Sequence, residues 1–318
     1  MPPKRLRAPA ETAVRKCMRL QSTESCLIVT DHKRQQIGES LYEVANERTD
    51  DASIVRYPPG NQHGEEPPAA VSAAMRNADV VLAPTTKSLS HTRARSDANE
   101  AGARVATLPG ITEEVFVTGL DANYSEIKQR CKEIYQQVSG AGNVRVQTDL
   151  GTDIVFRPGD REWKQDTGIV HEAGEMSNLP AGEVFLSPET ANGTFVVDGT
   201  MMPHGLLEEE QTLEFEVDDG YVTEVSDAAV REELEAAADE VGQDAYNLAE
   251  LGIGTNVGVT ELIGSVLLDE KAAGTVHIAI GDDHAIGGDT EAPIHLDGVI
   301  RDPTVSVDGE RIELPSGV

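Results

Sequence analysis

The hydrophobic pattern changes character partway along this chain. In the first part, short continuous apolar runs alternate with helical periodicity. Residues 25–30 (SCLIVT), 52–57, 79–83 (DVVLA) and 104–108 read as buried strands. Between them, 35–47 places Ile37, Leu41, Val44 and Ala45 on one side of a predicted helix, and further helices are predicted over 9–21, 69–77, 93–101 and 125–139. Strand and helix in alternation, with uninterrupted apolar strands, predict an α/β fold built on a parallel sheet. The run GAGN at 140–143 is a Gly-rich break and marks the predicted domain boundary, giving an N-terminal domain of residues 1–143 and a C-terminal domain of 144–318. From Val144 the rhythm becomes short strands at hairpin spacing: VRVQTD, TDIVFRP, EVFLSP, GTFVVDG, LEFEV and YVTEVS. One helix, 228–240, interrupts them, so the second domain is predicted to be mainly antiparallel α+β.

The chemistry collects in that second domain. Residues 274–302, GTVHIAIGDDHAIGGDTEAPIHLDGVIRD, begin and end in strand alternation. Val276, Ile278 and Ile280 face one way and His277 and Ala279 the other; later, Ile294 and Leu296 oppose His295 and Asp297. The intervening loop is rich in Gly and Asp and carries His284. Three imidazoles and a carboxylate this close in sequence suit a divalent transition metal such as Zn, Mn, Co or Fe. The alternative is two ordinary strands whose histidines hydrogen-bond at the surface. Two glutamates join the candidates. Glu183 follows the turn NLPAG and enters a strand, and Glu250 interrupts the apolar run NLAELGIG. A carboxylate between Ala249 and Leu251 is paired, metal-bound or at an element's end, because burying a bare one is unfavourable.

In a parallel α/β sheet the loops after the strands form the functional crevice. Here they hold Asp31, His32, His63, Glu65, Glu66, Thr85, Thr86, Ser88, Ser90, His91 and Thr92. Neither GxGxxG nor GxxxxGK[ST] occurs, so a dinucleotide or P-loop nucleotide site has no support. SLSHTRAR reads either as a Ser/His pair or, more simply, as a helix start capped by Ser90 or Thr92.

Charge narrows the class of partner. Against 56 acidic residues stand 26 basic ones, a formal net charge of −30. Such a field repels nucleic acid and anionic membranes and attracts cations. The acidic residues are spread along the whole chain, the pattern of a salt-adapted surface. Cys17, Cys26 and Cys131 are scattered and odd in number, which argues against a disulfide framework or a thiolate metal site. No apolar run of membrane-spanning length and no signal peptide is read, and a cytoplasmic location is expected.

Taken together, NLPAGEVFLSPE, NLAELGIGTN, GTVHIAIG and IHLD resemble the aminopeptidase T type of metalloaminopeptidase, and LIVTD, HGEEPP and PTT-SLSHTRAR extend the likeness into the first domain. This resemblance implies a homodimeric aminopeptidase acting on short peptides through two metal ions, Zn, Co or Mn. Glu183, Glu250, His277, His295 and Asp297 match its metal ligands. Glu183 or Glu250 would serve as ligand or as general base. His284 stands where the peptidases carry an active-site tyrosine, which makes it a candidate catalytic residue, and the connection onward to His295 is short. Dihydroxypyridine dioxygenases look similar in the second domain. That resemblance implies a single Fe(II) held by two histidines and one carboxylate, a triad that His277, His295 and Asp297 would supply. A non-catalytic metal-binding protein is a third reading.

Overall fold

The computed structural model describes residues 2–316. The chain divides into two compact units: Met1–Lys128 with Asp166–Ala181, and Gln129–Gln165 with Gly182–Val318. The division falls inside the helix Tyr124–Val138, not at the predicted break over 140–143. A later segment also returns to the first unit, because the strand Met176–Asn178 pairs with Arg104–Pro109. That strand is only three residues, MSN, too short and too polar to show a strand pattern.

The first unit is an α/β unit on a five-stranded parallel sheet. Its order is Ala52–Tyr57, Cys26–Asp31, Val80–Thr85, Arg104–Pro109, Met176–Asn178. Cys26–Asp31 and Val80–Thr85 are buried along their whole length, which is why they carry no polar alternation. Helices Gln35–Asn46, Ala69–Arg76 and Arg93–Glu100 form where the periodicity predicts them, and Glu113–Leu120 is an additional one.

The polar loops of this unit are tied up in structure. The Asp31 carboxylate accepts hydrogen bonds from Lys33 N, at 2.8 Å, and Thr86 Oγ1, at 3.0 Å. Glu66 accepts from the backbone of Arg93 and Ala94, and Thr92 Oγ1 accepts from Arg95 N, so both cap the helix Arg93–Glu100. Ser90 Oγ sits in a buried hydroxyl network with Ser88, Thr107 and Asn178. The capping reading of SLSHTRAR therefore holds.

The second unit carries two seven-stranded sheets whose recorded pairings are all antiparallel. One runs Tyr221–Val225, Leu213–Asp218, Thr190–Val197, Asp153–Arg157, Val144–Gln147, Thr304–Val307, Glu310–Arg311. Here Leu213, Phe215 and Val217 are buried while Glu214, Glu216 and Asp218 are exposed, a one-sided sheet. The other runs Gly205–Leu206, Thr200–Met201, His295–Ile300, Val276–Gly281, Leu248–Gly254, Glu183–Leu186, Lys164–Asp166. Its strands Leu248–Gly254 and Val276–Gly281 are buried throughout. The helix Ala228–Val241 is capped by Asp227, whose carboxylate accepts from Val230 N at 2.9 Å. No helix among the described residues is long and apolar enough to cross a membrane.

Candidate metal centre

Register gathers the site. His277 pairs with Val299, Ala279 with Asp297, and Gly281 with His295. Residues directly opposite each other share a sheet face, so His277, Asp297 and His295 point the same way. On the other side His277 pairs with Gly252 and Ala279 with Glu250, while Gly254 pairs with Glu183. All five predicted ligands therefore project from one face of four neighbouring strands, across a floor of Gly252, Gly254, Ala279 and Gly281.

Gly252 is required there. A Cβ at this position would lie 2.0 Å from His277 Cε1 and 2.1 Å from Nε2, so the imidazole takes the space a side chain at 252 would fill. The strand's unusual composition, LAELGIG, follows from the side chains it must accommodate.

The five side chains form two overlapping triads, Glu183–Glu250–His277 and Glu250–His295–Asp297, with the ligand atoms of each within 4.8 Å of one another. His277 Nε2 is 3.3 Å from both Glu183 Oε2 and Glu250 Oε1. His295 Nε2 is 3.5 Å from Glu250 Oε2 and 3.4 Å from Asp297 Oδ1. Glu183, Glu250 and His277 are buried, whereas the side chain of His295 is 33% exposed, so the centre opens at its His295 end.

Each histidine has its ring oriented. His295 Nδ1 lies 2.7 Å from the carbonyl of Asp282; a carbonyl only accepts, so Nδ1 carries the hydrogen and Nε2 is the nitrogen turned to the carboxylates. His277 Nδ1 is buried with no hydrogen-bond partner, while its Nε2 faces the acids.

Electrostatics match a cation site. Burial disfavours the His277 imidazolium, but the hydrogen bond to Glu250 and the charges of Glu183, Glu250 and Glu270 outweigh it and raise the pKa to about 9. Burial likewise opposes a charged His295, and Asp297 and Glu250 lift it well above the ordinary histidine value. Asp297 is pushed up by burial, but His295 and the other nearby cations bring it down to about 2. Concentrated negative charge is holding protons where a metal ion would replace them. Donor types, shared face and charge together fit a divalent metal.

Two residues of this cluster are not among the candidates read from the sequence. Lys271 is 1% exposed, and its Nζ is 3.0 Å from Glu183 Oε1 while also hydrogen-bonding Glu270 Oε1. Burial raises the Glu270 carboxyl to about 8 although Lys271 opposes the rise. The only hint in the sequence is a Glu-Lys pair inside LLDEKAAG, a stretch otherwise suited to burial.

His284 is not brought to the cluster. It sits in the turn His284–Ile286 with its side chain 63% exposed, and its Nε2 is 3.8 Å from Glu291. Asp283 sets that path. Its buried carboxylate accepts from Ser187 Oγ (2.8 Å), Asn247 Nδ2 (3.0 Å) and Thr290 N (2.7 Å), which pins the start of the loop and turns the next residue outward.

Residues 11–315 match the NicX family, described as 2,5-dihydroxypyridine 5,6-dioxygenase. Among solved structures, the 2,5-dihydroxypyridine dioxygenase from Pseudomonas putida KT2440 superposes with a TM-score of 0.82 at 19% identity, over 100% of this chain and 98% of that one. Wild-type AmpT from Thermus thermophilus superposes with a TM-score of 0.70 at 18% identity, over 97% of each chain. No curated protein sequence matches the chain.

Proposed function

We propose that this chain, which belongs to the NicX family of 2,5-dihydroxypyridine 5,6-dioxygenases, is a dioxygenase that opens a dihydroxylated, nitrogen-containing aromatic ring at a single divalent iron. The observation that carries the reading is the convergence of His277, His295, Asp297 and Glu250 on one sheet face. Two imidazoles and a carboxylate are the donor set of a facial triad with open positions, the arrangement that suits non-haem iron oxygenases. The aminopeptidase expectation has weaker support, a fold likeness at 18% identity.

In this reading His277, His295 and Asp297 would hold the ion. When bound, iron supplies the one-electron chemistry through which an electron-rich ring reacts with dioxygen. The remaining steps belong to the protein. The ring enters at the open His295 end. Glu250, buried between the two imidazoles, accepts a proton from a ring hydroxyl as the substrate seats. The Asp282 carbonyl keeps His295 Nε2 facing inward, and Gly252 leaves His277 its place. The buried floor of the sheet keeps bulk water from the inner side of the site.

The test is an aerobic assay of the iron-loaded protein in high salt with 2,5-dihydroxypyridine. Equimolar loss of ring absorbance and oxygen, abolished in His295→Ala, is expected. Oxygen uptake absent from dihydroxylated pyridines and benzenes alike, with release of free amino acids from short peptides instead, would return the peptidase reading to first place.

A further inference from the structure

The inner end of the metal centre already contains a cation. Lys271 reaches the cluster from the segment after the short helix Val266–Asp269 and is fully enclosed there. Its backbone is fixed: the Lys271 carbonyl accepts from Asn256 N at 2.8 Å, and Ala273 N donates to the Asn256 carbonyl at 3.2 Å. The sheet is shaped to admit this segment. A Cβ at Gly254 would lie 2.0 Å from the Ala272 carbonyl oxygen and 3.0 Å from the Lys271 carbonyl carbon, so only a bare backbone lets residues 271 and 272 lie against the strand. From that anchor the ammonium engages Glu183, an acid of the inner triad, and Glu270.

We propose that Lys271 is a built-in cation that takes the Glu183 end of the cluster and thereby limits it to one metal ion. The inference rests on the reading of this cluster as a metal centre and adds the reason for its stoichiometry. Five donor side chains in two triads are enough for two ions. The ammonium neutralises Glu183 and repels a second dication from the Glu183 side of the cluster, leaving the two imidazoles and Asp297 for the resident metal. Buried carboxylates need compensation, and a lysine supplies it permanently where a metal ion would supply it only when bound. Lys271 acts here as a positioning residue through Glu183, without touching substrate.

The experiment is a metal count by equilibrium dialysis against Mn(II) in high salt, on wild type, Lys271→Met and Lys271→Arg. Mn(II) keeps the count free of iron oxidation and of any turnover. The expected result is one equivalent in wild type and Lys271→Arg, and a second equivalent in Lys271→Met. A merely structural lysine would lose metal on substitution, not gain it. One equivalent in a folded Lys271→Met overturns the proposal while leaving the dioxygenase reading in place, whereas two equivalents in wild type overturn both. No metal in wild type removes both. If Lys271→Met does not fold, Glu183→Gln decides: retention of the single equivalent supports the proposal, because Glu183 is engaged by lysine, and its loss overturns it.

Discussion

Glu250 stands against His277 with its Oε1 3.3 Å from the ring Nε2, and its second oxygen reaches the other imidazole of the centre, His295, at 3.5 Å. One carboxylate thus touches both histidines from the middle of a buried strand. Replacing it with glutamine keeps the shape and removes the proton acceptor. Glu250→Gln is expected to retain one equivalent of iron and to lose ring-opening kcat by about 10²–10⁴-fold, the usual contribution of a positioned acid–base group. Metal analysis beside the oxygen-uptake assay separates the two effects; loss of the iron itself would make Glu250 a ligand.

Gly252 is the least conspicuous residue of the site, and its substitution is expected to be among the most damaging. An added methyl overlaps the His277 ring, so Gly252→Ala must displace that imidazole. Metal affinity is expected to fall by at least about 10–100-fold, the range seen when support around a ligand is lost. Calorimetric Mn(II) titration checks this, with circular dichroism confirming the fold.

Metal binding is expected to be proton-coupled. His277 is raised to about 9 in the metal-free protein, so its imidazole is protonated at neutral pH and the incoming metal must release that proton. Apparent affinity should therefore climb with pH until about 9 and fall toward acid, by up to about tenfold per pH unit for each proton displaced. Titrations in two buffers of different ionisation enthalpy would reveal the proton release; identical heats would contradict it.

In the first unit, Arg104 donates to Glu24 at 2.9 and 3.0 Å and to the Met18 carbonyl at 3.0 Å. The hydrogen bond from Arg104 holds the Glu24 carboxyl below its ordinary value. A depressed carboxylate stabilises the fold above its unfolded pKa, and that stability is lost as pH falls through the folded value. Glu24→Gln is expected to lower stability by about 1.5–3 kcal/mol at neutral pH, the range for a hydrogen bond to a charged group. Denaturant unfolding should show the difference from wild type closing below about pH 4.

The net charge of −30 predicts a fold that needs salt. Screening over about 10 Å at 0.1 M shortens to about 3 Å at 1 M and relieves the self-repulsion of a surface carrying few cations. The thermal midpoint is expected to rise from dilute buffer to molar KCl. A midpoint independent of salt would mean the charges are already balanced locally.

The sequence by itself marked the four apolar strands of the first unit and the polar faces of the strands around His277 and His295, though not short polar strands such as Met176–Asn178. Glu250, His277, His295 and Asp297 stood out because side chains alternate with a period of two and a lone acid or histidine breaks an apolar run, while Glu183 was marked by its turn and by the family resemblance. The parallel sheet was legible for a similar reason, since strands buried on both sides lose their alternation. Only the tertiary structure decided which strands are neighbours and in what register. That register places Gly252 under His277, and Glu250 between two imidazoles that lie 18 residues apart in the chain. It also brought Lys271 to Glu183 across a separation of 88 residues. No local pattern announces a buried ion pair, because its partner lies on another strand. The outward turn of His284 belongs to the same class: hydrogen bonds to Asp283 from Ser187 and Asn247, both remote in the chain, set the path of that loop.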